Sequence, residues 1–181
     1  MSNSLNATGE QLTGSTRTAQ RAIWDAFAIA SAAPLNTNAT KKMFTTNVVD
    51  TGGVTGDVSN MRLAGMLPAG HSHIIRAIRI EMQGASADLL TFNQFTFLKF
   101  FYSGIQIFES TIALLGSGMG MNGSASNGLP DARAIYFFDK QPIRLEGMTP
   151  FRLEVVSGAT GNASAAFFLR AYLDGEYTEP A

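Results

Sequence analysis

The sequence predicts an all-β, antiparallel sandwich. Three observations lead there. From Met43 onward apolar residues recur at a period of two, turn-forming Gly, Ser, Asn and Pro residues separate the alternating stretches, and no helical pattern intervenes between them. Alternation is cleanest at Phe151, Leu153 and Val155 against Arg152 and Glu154, and at Ile74, Ile78, Ile80 and Met82 against Ala77, Arg79 and Glu81. Sheets with one wet face produce this pattern.

Residues 1–42 differ in composition, being rich in Ser, Thr, Asn, Gly and Ala, and are expected to form an arm. One helix is expected within it, over about residues 18–32: Ile23, Phe27 and Ala30 share a face with Trp24 beside them, Thr18 is the cap and Pro34 the stop. Such a helix either covers one end of the sandwich or docks on a neighbouring chain. The stretch Ala22 to Ala33 also has the apolar body of a leader peptide, but Asp25 interrupts it and residues 1–16 carry no Lys or Arg, so it is not expected to be cleaved.

Residues 43–181 are expected to form the sandwich domain. The pattern places strands at 43–49, 61–66, 73–83, 92–102, 105–114, 133–138, 142–156 with a break at Gly147, and 165–173. The fourth departs from alternation: Phe95, Phe97 and Phe101 lie on one face and Leu98, Phe100 and Tyr102 on the other, so both faces are expected to be covered, by the amino-terminal helix or by another subunit. Between the fifth and sixth strands, Gly116 to Arg133 forms a Gly- and Ser-rich loop too long for a simple turn, of a kind that is functional or ordered by a neighbour. Eight antiparallel strands in two sheets make an eight-stranded jelly-roll β-sandwich the leading topology.

Composition narrows the function. Lys and Arg number 13 against 14 Asp and Glu, a net charge of −1, so no long-range field favours nucleic acid, and none is expected as a specific partner. With no Cys, disulfides, thiolate metal sites and cysteine nucleophiles are excluded. Charged residues make up 15% of the chain, against about 25% in an ordinary soluble domain, so part of the surface is expected to be covered by a partner. No apolar run reaches the roughly 18 to 20 residues of a membrane-spanning helix.

The motifs point away from catalysis. His71 and His73, one residue apart at the start of a strand, suggest a metal site on the cupin plan. Cupins place a Glu four or five residues after the second His; Ala77 and Ile78 stand there, Glu81 comes too late, and the chain has no third His. Gly118-Met119-Gly120-Met121-Asn122-Gly123 fits the dinucleotide fingerprint, but Ser, Asn and Pro follow where the helix of a βαβ unit is required. Sequons at Asn6, Asn38, Asn122 and Asn162 matter only in a eukaryotic secretory pathway. Nothing pairs Glu81, Glu109, Glu146 or Glu154 for acid–base work. The expectation is a protein that is not an enzyme and that has no cofactor, metal or small-molecule substrate.

Three stretches, MRLAGMLPAGHSHIIRAIRIEMQG, LKFFYSGIQIFESTIALLGSGMGM and NGLPDARAIYFFDKQPIRLEGMTPFRLEVV, carry a resemblance. Their order of features is a Leu-Pro-Ala-Gly lead-in to a long strand, an aromatic strand pair around a Ser-Gly turn, a Gly-rich loop, and a Pro-Ile, Phe-x-Leu strand pair. Over roughly residues 43–175 this resembles the single-jelly-roll capsid proteins of tailless icosahedral phages with an internal membrane. The resemblance implies a self-assembling structural protein of the virion, made in the host cytoplasm, whose partners are copies of itself and other capsid proteins, close to an internal viral membrane. The long amino-terminal segment departs from that pattern and would suit a decoration or cement protein of a tailed-phage head. Trp24, Phe27, Phe100, Phe101, Tyr102, Met119 and Met121 are the expected assembly contacts, the aromatics as anchors and the methionines as adaptable side chains. The competing expectation is a monomeric carbohydrate-binding jelly-roll module that stacks sugars on Tyr136, Tyr172 or Trp24.

Overall fold

A computed structural model describes residues 4–5, 11–13, 16–36, 40–45, 58–114, 131–138 and 140–180. The strands in them are β1 (Ser4–Leu5), β2 (Gln11–Thr13), β3 (Thr16–Gln20), β4 (Ile23–Ile29), β5 (Lys41–Met43), β6 (Val58–Ser59), β7 (Ser72–Gln83), β8 (Thr96–Tyr102), β9 (Ile105–Thr111), β10 (Asp131–Phe137), β11 (Ile143–Glu146), β12 (Phe151–Ser157) and β13 (Phe167–Pro180). One helix, α1 (Ser86–Phe95), precedes β8, and a 3-10 turn over Ile112–Leu114 follows β9.

These strands form two antiparallel sheets. In the larger, β13 pairs on one side with β4 and β3, end to end, and on the other with β7; β7 in turn pairs with β10 and β11. β6 lies beside β4, while β2 and then β1 extend outward from β3. The smaller sheet runs β5-β12-β8-β9. Both sheets feed one core: Phe27, Ile80, Leu169 and Leu173 from the larger meet Leu98, Phe100, Leu153 and Val155 from the smaller. The chain is therefore an all-β fold of two antiparallel sheets over a shared core, as the period-two pattern predicts.

Residues 18–32 are not a helix. They fall on β3 and β4, with Ile23, Asp25, Phe27 and Ile29 all buried and Trp24, Ala26 and Ala28 turned outward. The spacing of Ile23 and Phe27 fits either period; what decides is β13, whose alternating Phe167, Leu169, Ala171 and Leu173 pair with β4 and supply the hydrogen bonds a helix would have made internally. The amino-terminal segment is thus built into the larger sheet.

The expected strand at 92–102 also divides. Residues up to Phe95 belong to α1, which inserts Leu89 and Phe92 into the core, with Phe92 4.7 Å from the Phe167 ring, and only Thr96–Tyr102 is strand. Asp88 in the first turn anchors the helix by accepting hydrogen bonds from Ser164 N and Oγ, each 2.8 Å. Residues 61–66 form a bridged turn, Leu63 to Met66, around Gly65 at φ 71°, and the strand of that region is the shorter β6 before it. Of the first expected strand only Met43 is strand, at the end of β5; Phe44 and Thr45 lie past it, and residues 46–49 are outside the described set. β13 continues beyond its expected end to Pro180.

A bulge explains one misassigned face. The β7–β13 register shifts between Asp174 and Gly175, so Arg76 is the extra residue and the inward set changes phase from His73 and Ile75 to Ile78, Ile80 and Met82. Ile74 is consequently only half-buried. The β8–β9 connection closes through Ser103 (φ 51°) and Gly104 (φ 79°), the two left-handed residues of a type I′ hairpin turn.

Candidate assembly surface

The open side of the sandwich carries Ile105, the most exposed large apolar side chain among the described residues. β9 is the last strand of the smaller sheet, and β10 and β11 are the last of the larger; among the described residues none has a further strand beside it. Ile105 is 67% and Ile107 43% exposed on β9. The local cause is again a register irregularity, between Phe100 and Phe101, which leaves Ile107 without a directly opposed residue.

Phe108, next along β9, turns toward the larger sheet. Its ring lies 4.8 Å from Tyr136 and 5.6 Å from Phe138, and those two rings are 4.9 Å apart. These aromatics, with Ile107, Lys140 and Ile143, line an open groove of about 770 Å³ between the two edges. Edge strands with free backbone groups and apolar side chains are templates for further pairing, and such a groove accepts an apolar segment.

The outer face of the smaller sheet is half apolar. Phe97 is exposed, Phe101 lies half-buried with the Arg152 guanidinium 4.1 Å from its ring, and Lys99 meets Glu109 across the strands at 3.7 Å. The outer face of the larger sheet is a ladder of charges and rings. Arg79 sits 3.8 Å over Tyr172 and bonds Asp174 and Glu81; the Tyr172 hydroxyl donates to Glu81 at 2.8 Å; Arg170 lies 5.0 Å over Trp24.

The expected contact residues separate accordingly. Trp24, Phe101 and Tyr102 are half-buried at the surface, and the Tyr102 hydroxyl accepts from Glu146 N at 3.1 Å. Phe27 and Phe100 are core residues, buried by the subunit's own sheets, and so are withdrawn as contacts. Met119 and Met121 lie outside the described residues. Of the expected sugar-stacking rings, Tyr136 lines the groove, whereas Tyr172 and Trp24 are covered in part by arginines. Sequence reasoning passed over Ile105, Ile107 and Phe108, whose alternation matched an ordinary half-buried strand; nothing local marks a strand as an edge.

His71 and His73 do not converge on a metal position. Both pack against Tyr177, on ring centroids 5.6 and 6.0 Å away, with the Tyr177 hydroxyl 2.8 Å from His71 Nδ1. His73 is fully buried, its Nε2 3.0 Å from Leu173 O. Burial pushes its pKa down to about 4, opposed in part by the Leu173 and Glu176 carbonyls. Among the described residues no three His, Asp or Glu side chains gather as a metal site, and no helix is long and apolar enough to cross a membrane. No protein-family model matches the sequence, and no curated protein is similar to it.

Proposed function

We propose that the chain is a structural subunit of a viral shell, a jelly-roll capsid protein of an icosahedral phage that assembles with copies of itself. The pairing order supports the jelly-roll reading. Taking β3–β4 as one segment and β10–β11 as another, and setting aside the short β1, β2 and β6, eight segments follow in chain order. The first pairs with the eighth (β4 with β13), the second with the seventh (β5 with β12), the third with the sixth (β7 with β10 and β11) and the fourth with the fifth (β8 with β9). That is one long antiparallel ribbon; rolling it adds the eighth-to-third and seventh-to-fourth pairs, β13 with β7 and β12 with β8. Jelly rolls serve capsids, lectins and cupins alike, so topology alone does not choose among them.

The observation that carries the assembly reading is the open side of the sandwich, where two edges that no other described strand covers flank exposed Ile105 and Ile107 and the aromatic groove. A subunit with low charge density gains most by covering such a side with a neighbour. Sedimentation and light scattering of the purified protein, with negative-stain microscopy, test it. Capsomers or closed shells well above the 19.3 kDa subunit mass are expected. A concentration-independent monomer that binds glycans through Tyr136 would replace this reading with the carbohydrate module, and a monomer that binds only preformed phage heads would replace it with the decoration protein.

A further inference from the structure

We propose that the His71–Tyr177–His73 cluster is an acid-sensitive clasp that holds β3, and the strands paired outside it, against the end of β13. Tyr177 stands where three elements meet. Its backbone pairs with Ala19 of β3 on one side and with His73 of β7 on the other. Its ring is flanked by the two imidazoles, and Arg21, the residue after β3, holds its guanidinium 5.1 Å from the ring centroid. Arg62, from the turn before β7, reaches the same cluster and bridges to Glu179 at 3.5 Å. From β4 and β11 the neighbours are apolar, Ile23 and Leu145, so the charges acting on the two imidazoles are Arg21 and Arg62 against Asp174 and Glu179.

A proton added here is poorly received. His73 is fully buried, and its Nδ1 makes no hydrogen bond of ordinary geometry. Burial disfavours the cationic form of both imidazoles first; of the nearby cations, Arg62 acts on His71 more strongly than Arg21 does, and Arg21 acts on both. Linkage makes this reciprocal: if Arg21 opposes protonation of the imidazoles, then protonation weakens the docking of Arg21 by the same free energy. The element free to respond is β3. None of its residues is buried, whereas β7 and β13 are fixed by core side chains on their inner faces. Detaching β3 moves Arg21 away and leaves the rest of the sandwich closed.

Amide hydrogen exchange on the full chain, corrected for intrinsic rates, at about pH 7.5 and about pH 4, the interval over which both imidazoles take up protons, tests the clasp. Protection of residues 16–20 should fall about tenfold at the lower pH while residues 23–29, paired to the same β13, stay closed. The fall should shrink in Arg21→Gln, which removes one of the two repelling cations, and vanish in His71→Gln combined with His73→Phe. Should that double variant fail to fold, NMR titration of His71 in Arg21→Gln decides alone: its pKa must rise relative to the parent. Unchanged protection at residues 16–20, simultaneous opening of 23–29, an undiminished fall in Arg21→Gln, or an unmoved His71 titration each overturns the proposal.

Discussion

Asp25, on the inward face of β4, accepts a hydrogen bond from the backbone N–H of Phe44, the residue that follows β5 in the opposite sheet. The carboxylate is 2% exposed, and a second bond, from Ala26 N at 2.9 Å, shares its other oxygen. Phe44 stands in the left-handed region at φ 64°, past the end of β5; Gly65 N donates to its carbonyl at 2.8 Å, and Asp25 satisfies its N–H. Replacing Asp25 with Ala strands a buried N–H and should destabilise the protein by about 2 to 3 kcal/mol, whereas Asn, which retains an acceptor, should lose about 1 kcal/mol. Urea midpoints of the two variants check the order; equal midpoints for Asp25→Ala and the parent would dismiss the tie.

Opposite the bulged Arg76 of β7, a Cβ on Gly175 would run into the carbonyl oxygen of Ile74 on the paired strand, a main-chain atom that cannot step aside. Gly175→Ala should therefore cost about 3 kcal/mol, a large value for one methyl group. Gly104→Ala meets nothing within 4 Å, but Gly104 lies at φ 79°, so it should lose a smaller amount, about 1 kcal/mol, from backbone strain alone. Thermal unfolding of the two variants separates steric from conformational loss, and a Gly175→Ala protein as stable as Gly104→Ala contradicts the bulge geometry.

The same corner and bulge show what the sequence could and could not reveal. Alternation alone found β12 and most of β7, because their inward and outward residues differ sharply in polarity. It failed at β4, where buried Asp25 occupies an apolar position and made Ile23 and Phe27 look like one face of a helix. It failed again at Ile74, since a bulge set by Gly175 about a hundred positions away shifts the phase. The candidate assembly surface was legible only as composition. A deficit of charge says that something is covered, but whether Phe100 or Ile105 remains outside depends on which strand ends up at an edge, and pairing order settles that.

His73 makes stability depend on pH in a definite direction. Its folded-state pKa, about 4, lies below the ordinary 6.5 of an exposed imidazole, so between these values the unfolded chain binds a proton that the folded chain refuses. Stability is therefore full above about pH 6.5 and declines as pH falls toward 4, by roughly 3 kcal/mol in total. His73→Phe preserves a ring against Tyr177 but gives up the contact to Leu173 O, so its stability should be lower at neutral pH and should lose this contribution to the pH slope. Denaturant midpoints taken across that interval give both slopes; parallel curves for the variant and the parent would remove His73 as their source.

The open side of the sandwich yields the sharpest test of assembly. Ile105 and Ile107 contribute little to the fold, being 67% and 43% exposed on a strand with one partner among the described residues, so Lys at both positions should leave the unfolding midpoint within about 0.5 kcal/mol of the parent. Charge on an edge strand is also how natural sheets prevent edge-to-edge pairing: each ammonium would have to be desolvated to admit a second copy. With both substitutions, the concentration needed for half-assembly should rise at least about tenfold, which corresponds to about 1.4 kcal/mol per contact. Phe97→Lys, exposed on the outer face of the same sheet and away from the groove, serves as the control for added charge alone. If it impairs assembly as much as the pair at β9, net charge and not the edge governs association. If neither does, the subunit meets its neighbours elsewhere.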